Sequence, residues 1–434
     1  MANAAFNFYA ECQNNFPIGS IIYAIKNPRF NLSILKLDFK NIHDIFKVMF
    51  NRWFKIQSQR SCLVVGSRRS GKTTLLKHRY PEWPYATLDD LDYLDWAKRD
   101  PKGLISHLGK KAIIDEIQRL PLLTVPVKYA VDNEKARFLM TGSSTLGLLD
   151  AAADSLAGRI DIASLPTACW GEELGGPTHS ILHDQVSPPQ IKQANRSLLG
   201  AMTYGQFPEV LIQKKDSNKH EVLVNYRNTY FTRDLMQLSN IENLEGLLAV
   251  LQNLSRSLGS HLEVSNFARE AGISHPTTKK YLNALHQAQL TFKLYGYQFG
   301  PAKRYIKAFK TYFADNGIIL SLNAGASAGQ LLENFVLAEF EKRRKLGIIK
   351  ADQFYYYKST GGHEIDLVFE MGNTVYAVEI KSTRRPASRD VNNLKLFRDR
   401  LNRPVRRYLV YLGEEYRTID NVRMLPAAAL FRGK

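Results

Sequence analysis

The sequence predicts an α/β fold class in three parts: a phosphate-loop domain on a parallel sheet, a helical middle region, and a strand-rich α/β domain at the C-terminal end. Three observations carry this. Short apolar runs alternate with helical stretches between about 46 and 175, the pattern turns helical from about 190 to 290, and alternating strand-like runs follow beyond 350. At 434 residues the chain holds two to four domains of about 100–200 residues each. Hydrophobic residues make up 44% and charged residues 23%, ordinary globular usage. No run approaches the ~20 apolar residues of a membrane span, and the first residues lack the basic start and apolar core of a signal peptide. Three scattered cysteines, Cys12, Cys62 and Cys169, suggest neither a disulfide framework nor a zinc site, so a cytoplasmic location is expected. The informative quantity is a net charge of +18, which points to a polyanionic partner. Residues 246–310 and 384–407 each hold nine basic against two acidic residues.

Taken in order, residues 1–45 read as an N-terminal extension and 46–175 as the phosphate-loop domain. Runs at 62–65, 112–115, 137–141 and 159–165 are its expected strands. Gly66, Ser67, Arg68, Arg69, Ser70, Gly71, Lys72 and Thr73 satisfy GxxxxGK[ST] at every fixed position, directly after a strand-like run and directly before a helical stretch that opens with Thr74. That context is what a phosphate cradle requires. The glycines admit backbone amides to the phosphates of ATP, Lys72 reaches the terminal phosphates, and Thr73 offers a hydroxyl to Mg²⁺.

The run Ala112–Ile114 ends in Asp115 and Glu116. Two carboxylates closing an apolar strand need a cationic partner, and Mg²⁺ is the natural one. Asp115 is expected to hold the metal, and Glu116 to take a proton from the attacking water. A third strand ends in Thr141, Gly142, Ser143 and Ser144, where hydroxyls stand at the carboxyl edge of the sheet as candidate sensors of the terminal phosphate. Arg159 is a candidate charge stabiliser for its own site or a neighbouring subunit's.

The set VGSRRSGKTTLL, YATLDD at 85–90, AIIDEIQRLP at 112–121, FLMTGSS at 138–144 and SLAGR at 155–159 resembles the prokaryotic AAA-type ATPases that carry a C-terminal domain of uncharacterised function. The likeness continues through YGQFPE at 204–209, YRNTYFTRDL at 226–235 and KAFKTYFADNGI at 307–318. The resemblance implies an AAA-type fold with a helical and winged-helix continuation. It also implies a homo-oligomer, in ring or other form, with arginines acting across subunits. Ser67, Ser70 and Gln206 depart from the family's commoner residues without removing a catalytic group.

Residues 176–245 read as connector and helical region, and 246–325 as a winged-helix-like domain. Within the latter, 262–290 has a helix-turn-helix layout with its turn at Gly272, Ile273 and Ser274. Ile273, Tyr281, Leu282 and Leu285 are expected inward. His275, Thr277, Thr278, Lys279, Lys280 and Asn283 are expected outward, facing a DNA groove and its phosphates, with Lys303, Arg304, Lys307 and Lys310 as a supporting basic cluster.

Residues 326–434 end the chain with HEIDLVF at 363–369 and TVYAVEIK at 374–381, two strands joined by a short turn. Asp366, then Glu379 and Lys381, resembles the PD-(D/E)xK restriction-endonuclease-like core, though no literal Pro-Asp pair is present. In that resemblance Asp366 and Glu379 hold Mg²⁺, Lys381 positions water, and Glu333 on the preceding helix matches an additional acidic residue of some members. The expected function is a Mg²⁺-dependent ATPase coupled to DNA binding and remodelling. Two further readings stand beside it: an ATP-driven module that remodels a protein partner through an inactive nuclease-like domain, and a nucleotide-gated endonuclease. No membrane partner is expected.

Overall fold

The computed structural model describes residues 51–56, 59–143, 158–236, 241–298, 309–399 and 401–434, with no account of the side chains of 231–234. The expected N-terminal extension, Ser144, Ser155, Lys303, Arg304 and Lys307 lie outside the described residues. All described residues fall within one unit, Phe50–Lys434.

The first half is built on five parallel strands, β1 (Ser61–Val65), β2 (Tyr85–Thr87), β3 (Lys111–Asp115), β4 (Arg137–Gly142) and β5 (Ile160–Ser164), in the order β2-β3-β4-β1-β5. Every residue of β1 is buried, the mark of a strand covered on both faces. Alternation divides its side chains between two cores. Leu63 and Val65 pack with Ile114, Phe138 and Met140, against helices α2 (Leu91–Arg99), α3 (Pro101–Leu108) and α4 (Thr124–Glu134). Cys62 and Val64 pack on the other face with Ile113, Leu139 and Leu75 of the helix after the loop, α1 (Lys72–Arg79). Burial raises the Cys62 thiol to about 12, so it behaves as core rather than as a nucleophile.

The middle region is helical: α5 (Pro188–Tyr204), α6 (Asp216–Tyr226), α7 (Leu244–Arg256), α8 (Val264–Ala271) and α9 (His275–Gln287). Gly272 closes α8 in the left-handed region, and Ser274 opens α9 by accepting a hydrogen bond from the Thr277 amide, with proline in the first turn. An antiparallel hairpin follows, β6 (Thr291–Gly296) with β7 (Phe309–Phe313). Then come α10 (Asn316–Leu322) and α11 (Ala328–Lys345), the latter opened by a reciprocal Ser327/Gln330 capping box.

The C-terminal strands are β8 (Tyr355–Lys358), β9 (Glu364–Met371), β10 (Thr374–Lys381), β11 (Val405–Tyr411), β12 (Arg417–Ile419) and β13 (Val422–Pro426), with α12 (Asn392–Arg398) between β10 and β11. They form a mixed sheet ordered β12-β13-β11-β10-β9-β8-β6-β7. The hairpin, which lies inside the stretch expected as a separate winged-helix-like domain (246–325), is therefore built into the sheet of the C-terminal part, through the parallel pairing of Tyr295 with Tyr355 and Gly296 with Tyr356. One apolar core runs from Trp170 to Leu430 and joins the middle helices to a face of that sheet. The segment 175–189, expected as a connector, folds onto the chain's last residues: Ile181 donates to the Lys434 carbonyl at 2.9 Å and Lys434 to that of His179 at 2.7 Å. Among the described residues no helix is long and apolar enough to cross a membrane.

Two expectations are corrected here. Thr278 is buried with 0% exposure, because its hydroxyl bends back onto the Ser274 carbonyl at 3.0 Å and its position falls on the inner stripe with Tyr281 and Leu282. Lys310 is 1% exposed and paired with Glu364, so it belongs to the interior rather than to a basic surface.

Candidate functional site

The phosphate loop hangs between β1 and α1, and its shape follows from two glycines. Gly71 has φ 90°, a left-handed conformation that glycine adopts without strain. A Cβ on Gly66 would run into the Leu165 carbonyl oxygen. Lys72 is 5% exposed and folds its ammonium onto the loop carbonyls of Gly66 and Ser67, at 2.9 and 3.1 Å. Burial pushes that ammonium down to about 8, against the pull of Glu116 and Asp115. A buried cation whose partners are neutral carbonyls, beside a helix N-terminus, suits the polyphosphate of a nucleotide.

Around the loop the carboxyl ends of β1, β3 and β4 bring most of the expected residues together. Thr73 donates its hydroxyl to Asp115 Oδ1 at 2.8 Å, and Thr141 donates to the same oxygen. Thr141 Oγ1 also accepts from the Glu116 amide at 3.1 Å, and Ser143 donates to Glu116 Oε2 at 3.1 Å. Glu116 itself stands in the left-handed region, φ 57° and ψ 41°, a conformation that costs a non-glycine residue about 1–3 kcal/mol. The hydroxyl and carboxylate pair of Thr73 and Asp115 is the donor set that suits Mg²⁺.

Sequence reasoning missed the residues that hold these groups. Tyr85, the first residue of β2, donates its hydroxyl to Asp115 Oδ2 at 2.9 Å. Gln118 donates its amide to Glu116 and, at 3.0 Å, to Ser143. Arg52 is 7% exposed, donates to the carbonyls of Ser70 and Pro166 at 2.7 Å each, and pairs with Glu172 at 2.7 Å, tying the loop to the segment after β5. It belongs to none of the motifs read from the sequence. Arg69 directs its side chain away from the phosphate cradle, to Glu209 at 3.1 Å and over the Tyr226 ring. Only its backbone is placed for phosphate.

Arg159 does not reach its own site. It precedes β5, whose Ile160 lies beside Ser61 at the start of β1, so it stands at the amino end of a parallel sheet whose carboxyl end bears the loop. There it pairs with Asp132 at 2.8 Å. The own-subunit reading of Arg159 is overturned by this topology.

On α9, His275, Lys279, Lys280 and Asn283 are exposed and Thr277 is half-buried, while Tyr281, Leu282 and Leu285 pack inward and Ile273 is half-buried. At helical spacing His275, Lys279 and Asn283 form one outward stripe.

The C-terminal sheet gathers a second set. By the antiparallel register, Asp366 lies opposite Glu379, one step beyond the Leu367–Val378 pair. Asp366 accepts from the Ile380 amide at 2.7 Å, and Lys381 pairs with Glu379 at 2.6 Å. Glu333, on α11, accepts from the Tyr312 hydroxyl at 2.7 Å. Burial, with Asp366 beside it, raises the Glu333 carboxyl to about 7, and the same two causes hold Glu379 well above the usual range. Among the described residues no three His, Cys, Asp or Glu side chains are grouped so as to hold a metal ion.

With this geometry in hand, comparisons with known proteins bear on the first site. Residues 58–174 match a family described as an AAA domain. Residues 195–329 and 328–430 match two families, each described as a domain of unknown function. An uncharacterised protein of Mycobacterium tuberculosis is 27% identical over 337 residues, spanning 75% of this chain and 71% of that protein. One of Methanocaldococcus jannaschii is 25% identical over 321 residues, spanning 70% and 71%. Among solved structures, a signal transduction ATPase with numerous domains and a tetratricopeptide repeat sensor, from Pyrococcus horikoshii, is 12% identical with a TM-score of 0.19, the match covering 69% of this chain and 49% of that one. A Vibrio cholerae protein is 13% identical with a TM-score of 0.20, covering 85% and 95%. The parallel sheet, the loop at its carboxyl edge and the family match over 58–174 together support an AAA-type domain in this part of the chain, and such a domain implies nucleotide binding.

Proposed function

We propose that the protein is a Mg²⁺-dependent ATPase whose turnover is coupled to DNA binding and remodelling, branch migration of structured DNA included. The observation that carries the ATPase half is the connected set of Lys72, Thr73, Asp115, Thr141, Glu116 and Ser143 at the ends of three adjacent strands. ATP supplies the phosphoryl group and Mg²⁺ the charge neutralisation. Lys72 exchanges its loop carbonyls for phosphate oxygens, and Thr73 and Asp115 hold the metal. Glu116 takes the proton of the attacking water, and Thr141 and Ser143 fix where its carboxylate points. Arg159 acts, in this reading, at a neighbouring subunit's site within a homo-oligomer.

The DNA half rests on the net charge of +18, on the outward stripe of α9, and on the order of three helices and a hairpin from α7 to β7, which fits a winged helix. It rests further on the succession α11-β8-β9-β10-α12-β11, which fits a restriction-endonuclease-like core with Asp366, Glu379, Lys381 and Glu333 on it. Exposed Arg384, Arg385, Arg389 and Arg398 lie on the segment between β10 and β11 and suit a phosphate backbone.

The test is ATP turnover with Mg²⁺, alone and with single-stranded, duplex and four-way-junction DNA, followed together with the DNA products. Stimulation by one DNA form is expected, and turnover indifferent to every DNA that the protein also fails to bind overturns the coupling. Lys279→Ala with Lys280→Ala weakens duplex binding and flattens the salt dependence by about 0.9 per lost phosphate contact; an unchanged salt slope removes α9 from the interface. Asp366→Ala removes any Mg²⁺-dependent cleavage and leaves ATP turnover intact. DNA cut equally well by this variant would displace the cleavage site from the β9–β10 hairpin.

The protein-remodelling alternative has one observation in its favour. Leu122, Val125 and Tyr129 are 62%, 54% and 51% exposed on one side of α4 and its approach. Such a stripe suits a protein contact.

A further inference from the structure

The single helical turn Ile117–Arg119 that follows Glu116 is pinned on both sides of its middle residue. Ile117 is buried with 0% exposure, in the same core as Ile114 and Met140. Arg119 donates its amide to the Glu116 carbonyl at 3.0 Å and pairs its side chain with Asp89. Between them Gln118 folds back to the carboxyl edge of the sheet. Its Nε2 donates to Glu116 Oε2 and, at 3.0 Å, to Ser143 Oγ, while Ser143 donates in turn to Glu116 Oε2 at 3.1 Å. The three side chains close a ring of hydrogen bonds.

Both donors fall on the same carboxylate oxygen. Oε2 therefore has its lone pairs engaged, whereas Oε1 accepts from no described residue and belongs to a half-buried side chain. The carboxylate is held by one oxygen and open at the other. It also stands near enough to the loop cation to act on it: burial lowers the Lys72 ammonium, and Glu116, ahead of Asp115, draws it back up. The left-handed backbone of Glu116 persists only where its surroundings over-determine it. Thr141 holds its amide at 3.1 Å, and Gln118 with Ser143 holds its side chain.

Gln118 keeps this place against its own stability. Its nitrogen faces two acceptors, and its Oε1 is buried with no hydrogen-bond partner among the described residues. A buried acceptor without a donor destabilises a fold, so an apolar side chain of the same length would serve stability alone at least as well. A group retained at that cost beside a reaction site points to a part in the reaction.

We propose that Gln118 is a positioning residue for ATP hydrolysis, whose amide turns the Glu116 carboxylate, through Oε2 and Ser143, so that Oε1 alone meets the attacking water and takes its proton. The inference deepens the ATPase reading and rests on it for the role of Glu116. As the water oxygen bonds to the terminal phosphorus, the bond from that phosphorus to the bridging oxygen breaks and its electron pair leaves with ADP. The water proton passes to Oε1, which later returns it to solvent. Without the amide the carboxylate rotates about its last bond, and a displacement of about 1 Å at a reacting group costs about 10²-fold in rate. Gln118 carries no charge and bonds only to side chains, so its loss leaves nucleotide affinity in place.

The experiment uses the full chain and compares Gln118→Met, which keeps the length and removes the donor, with the unaltered protein in nucleotide binding, ATP turnover and thermal unfolding. The expected result is a kcat lower by about 10–100-fold, with nucleotide affinity and KM unchanged and no drop in the thermal midpoint. In a Glu116→Gln background, where no carboxylate is left to aim, the same substitution is expected to cost no further turnover. An unchanged kcat in Gln118→Met, beside a Glu116→Gln variant that loses turnover, overturns the role of Gln118 and leaves the ATPase reading standing. Full turnover in Glu116→Gln overturns both. A lower kcat that arrives with a lower thermal midpoint and weaker nucleotide binding makes Gln118 a support of the fold and overturns the proposal, as does an undiminished further loss in the Glu116→Gln background. Should Gln118→Met fail to fold, Gln118→Glu decides, because it keeps the shape and sets a second carboxylate against Glu116. It is expected to lose at least as much turnover at unchanged nucleotide affinity, and full turnover in that variant overturns the proposal.

Discussion

Lys72→Ala abolishes nucleotide binding, whereas Glu116→Gln keeps binding and loses turnover by about 10²–10⁴. The two outcomes differ because the residues act at different stages. Lys72 is the buried cation of the loop, 5% exposed, and its removal leaves the cradle without the charge that offsets a polyphosphate. Glu116 accepts from Gln118 and Ser143, and in the proposed reaction it contributes a proton acceptor rather than affinity. Glutamine retains its size and its hydrogen bonds while removing the basicity. Binding of a fluorescent nucleotide, measured beside phosphate release, separates the two effects. Unchanged hydrolysis in both variants would remove the reaction from this site.

Asp315→Ala destabilises the protein by about 3–5 kcal/mol, the cost of leaving a buried ion without its partner. Asp315 is 1% exposed. Its carboxylate accepts from the Thr167 hydroxyl at 2.7 Å, the Gly317 amide at 2.9 Å, the Gln206 amide at 3.0 Å and the Lys342 ammonium at 3.1 Å. Those four groups come from the segment after β5, the start of α10, the turn after α5, and α11. Lys342 is 3% exposed and keeps only Glu339 as a carboxylate partner once Asp315 is gone. A lower denaturant midpoint with little change in slope is expected. The variant should also bind nucleotide more weakly, because the Gln206 turn carries Pro208 to within contact of the Gly71 position. An unshifted midpoint would mean that this carboxylate is dispensable.

The phosphate-loop domain was legible because its signals are local and chemical. Buried strands of a parallel sheet read as short apolar runs, and the run at 62–65 lies within β1 (Ser61–Val65) with its loop immediately after. The network around the loop was half legible. Asp115, Glu116, Thr141 and Ser143 stand at strand ends, where polarity following an apolar run betrays them. Arg52, Tyr85 and Gln118 reach the same place from segments with no such contrast, and Glu172, Asp115 and Ser143, with which they bond, are distant in sequence. Thr278 was misplaced for a different reason: a threonine that satisfies its hydroxyl on the preceding turn can be buried at no polar cost, and composition alone does not register that bond. Lys310 was misread for a comparable reason, since its partner Glu364 sits in another strand that only the sheet brings near.

The pairing of β6 with β8 bears on how the chain is made. As the polypeptide leaves the ribosome, the hairpin is complete well before its neighbour in the sheet is synthesised, with 58 residues between Gly296 and Tyr355. Through that interval the outer edge of β6 offers unpaired backbone groups, the kind of template that recruits other chains. A fragment cut at the apparent border near 325 would keep that edge open permanently and is expected to aggregate. Halves of this molecule that look separable in sequence therefore have to be handled as one piece.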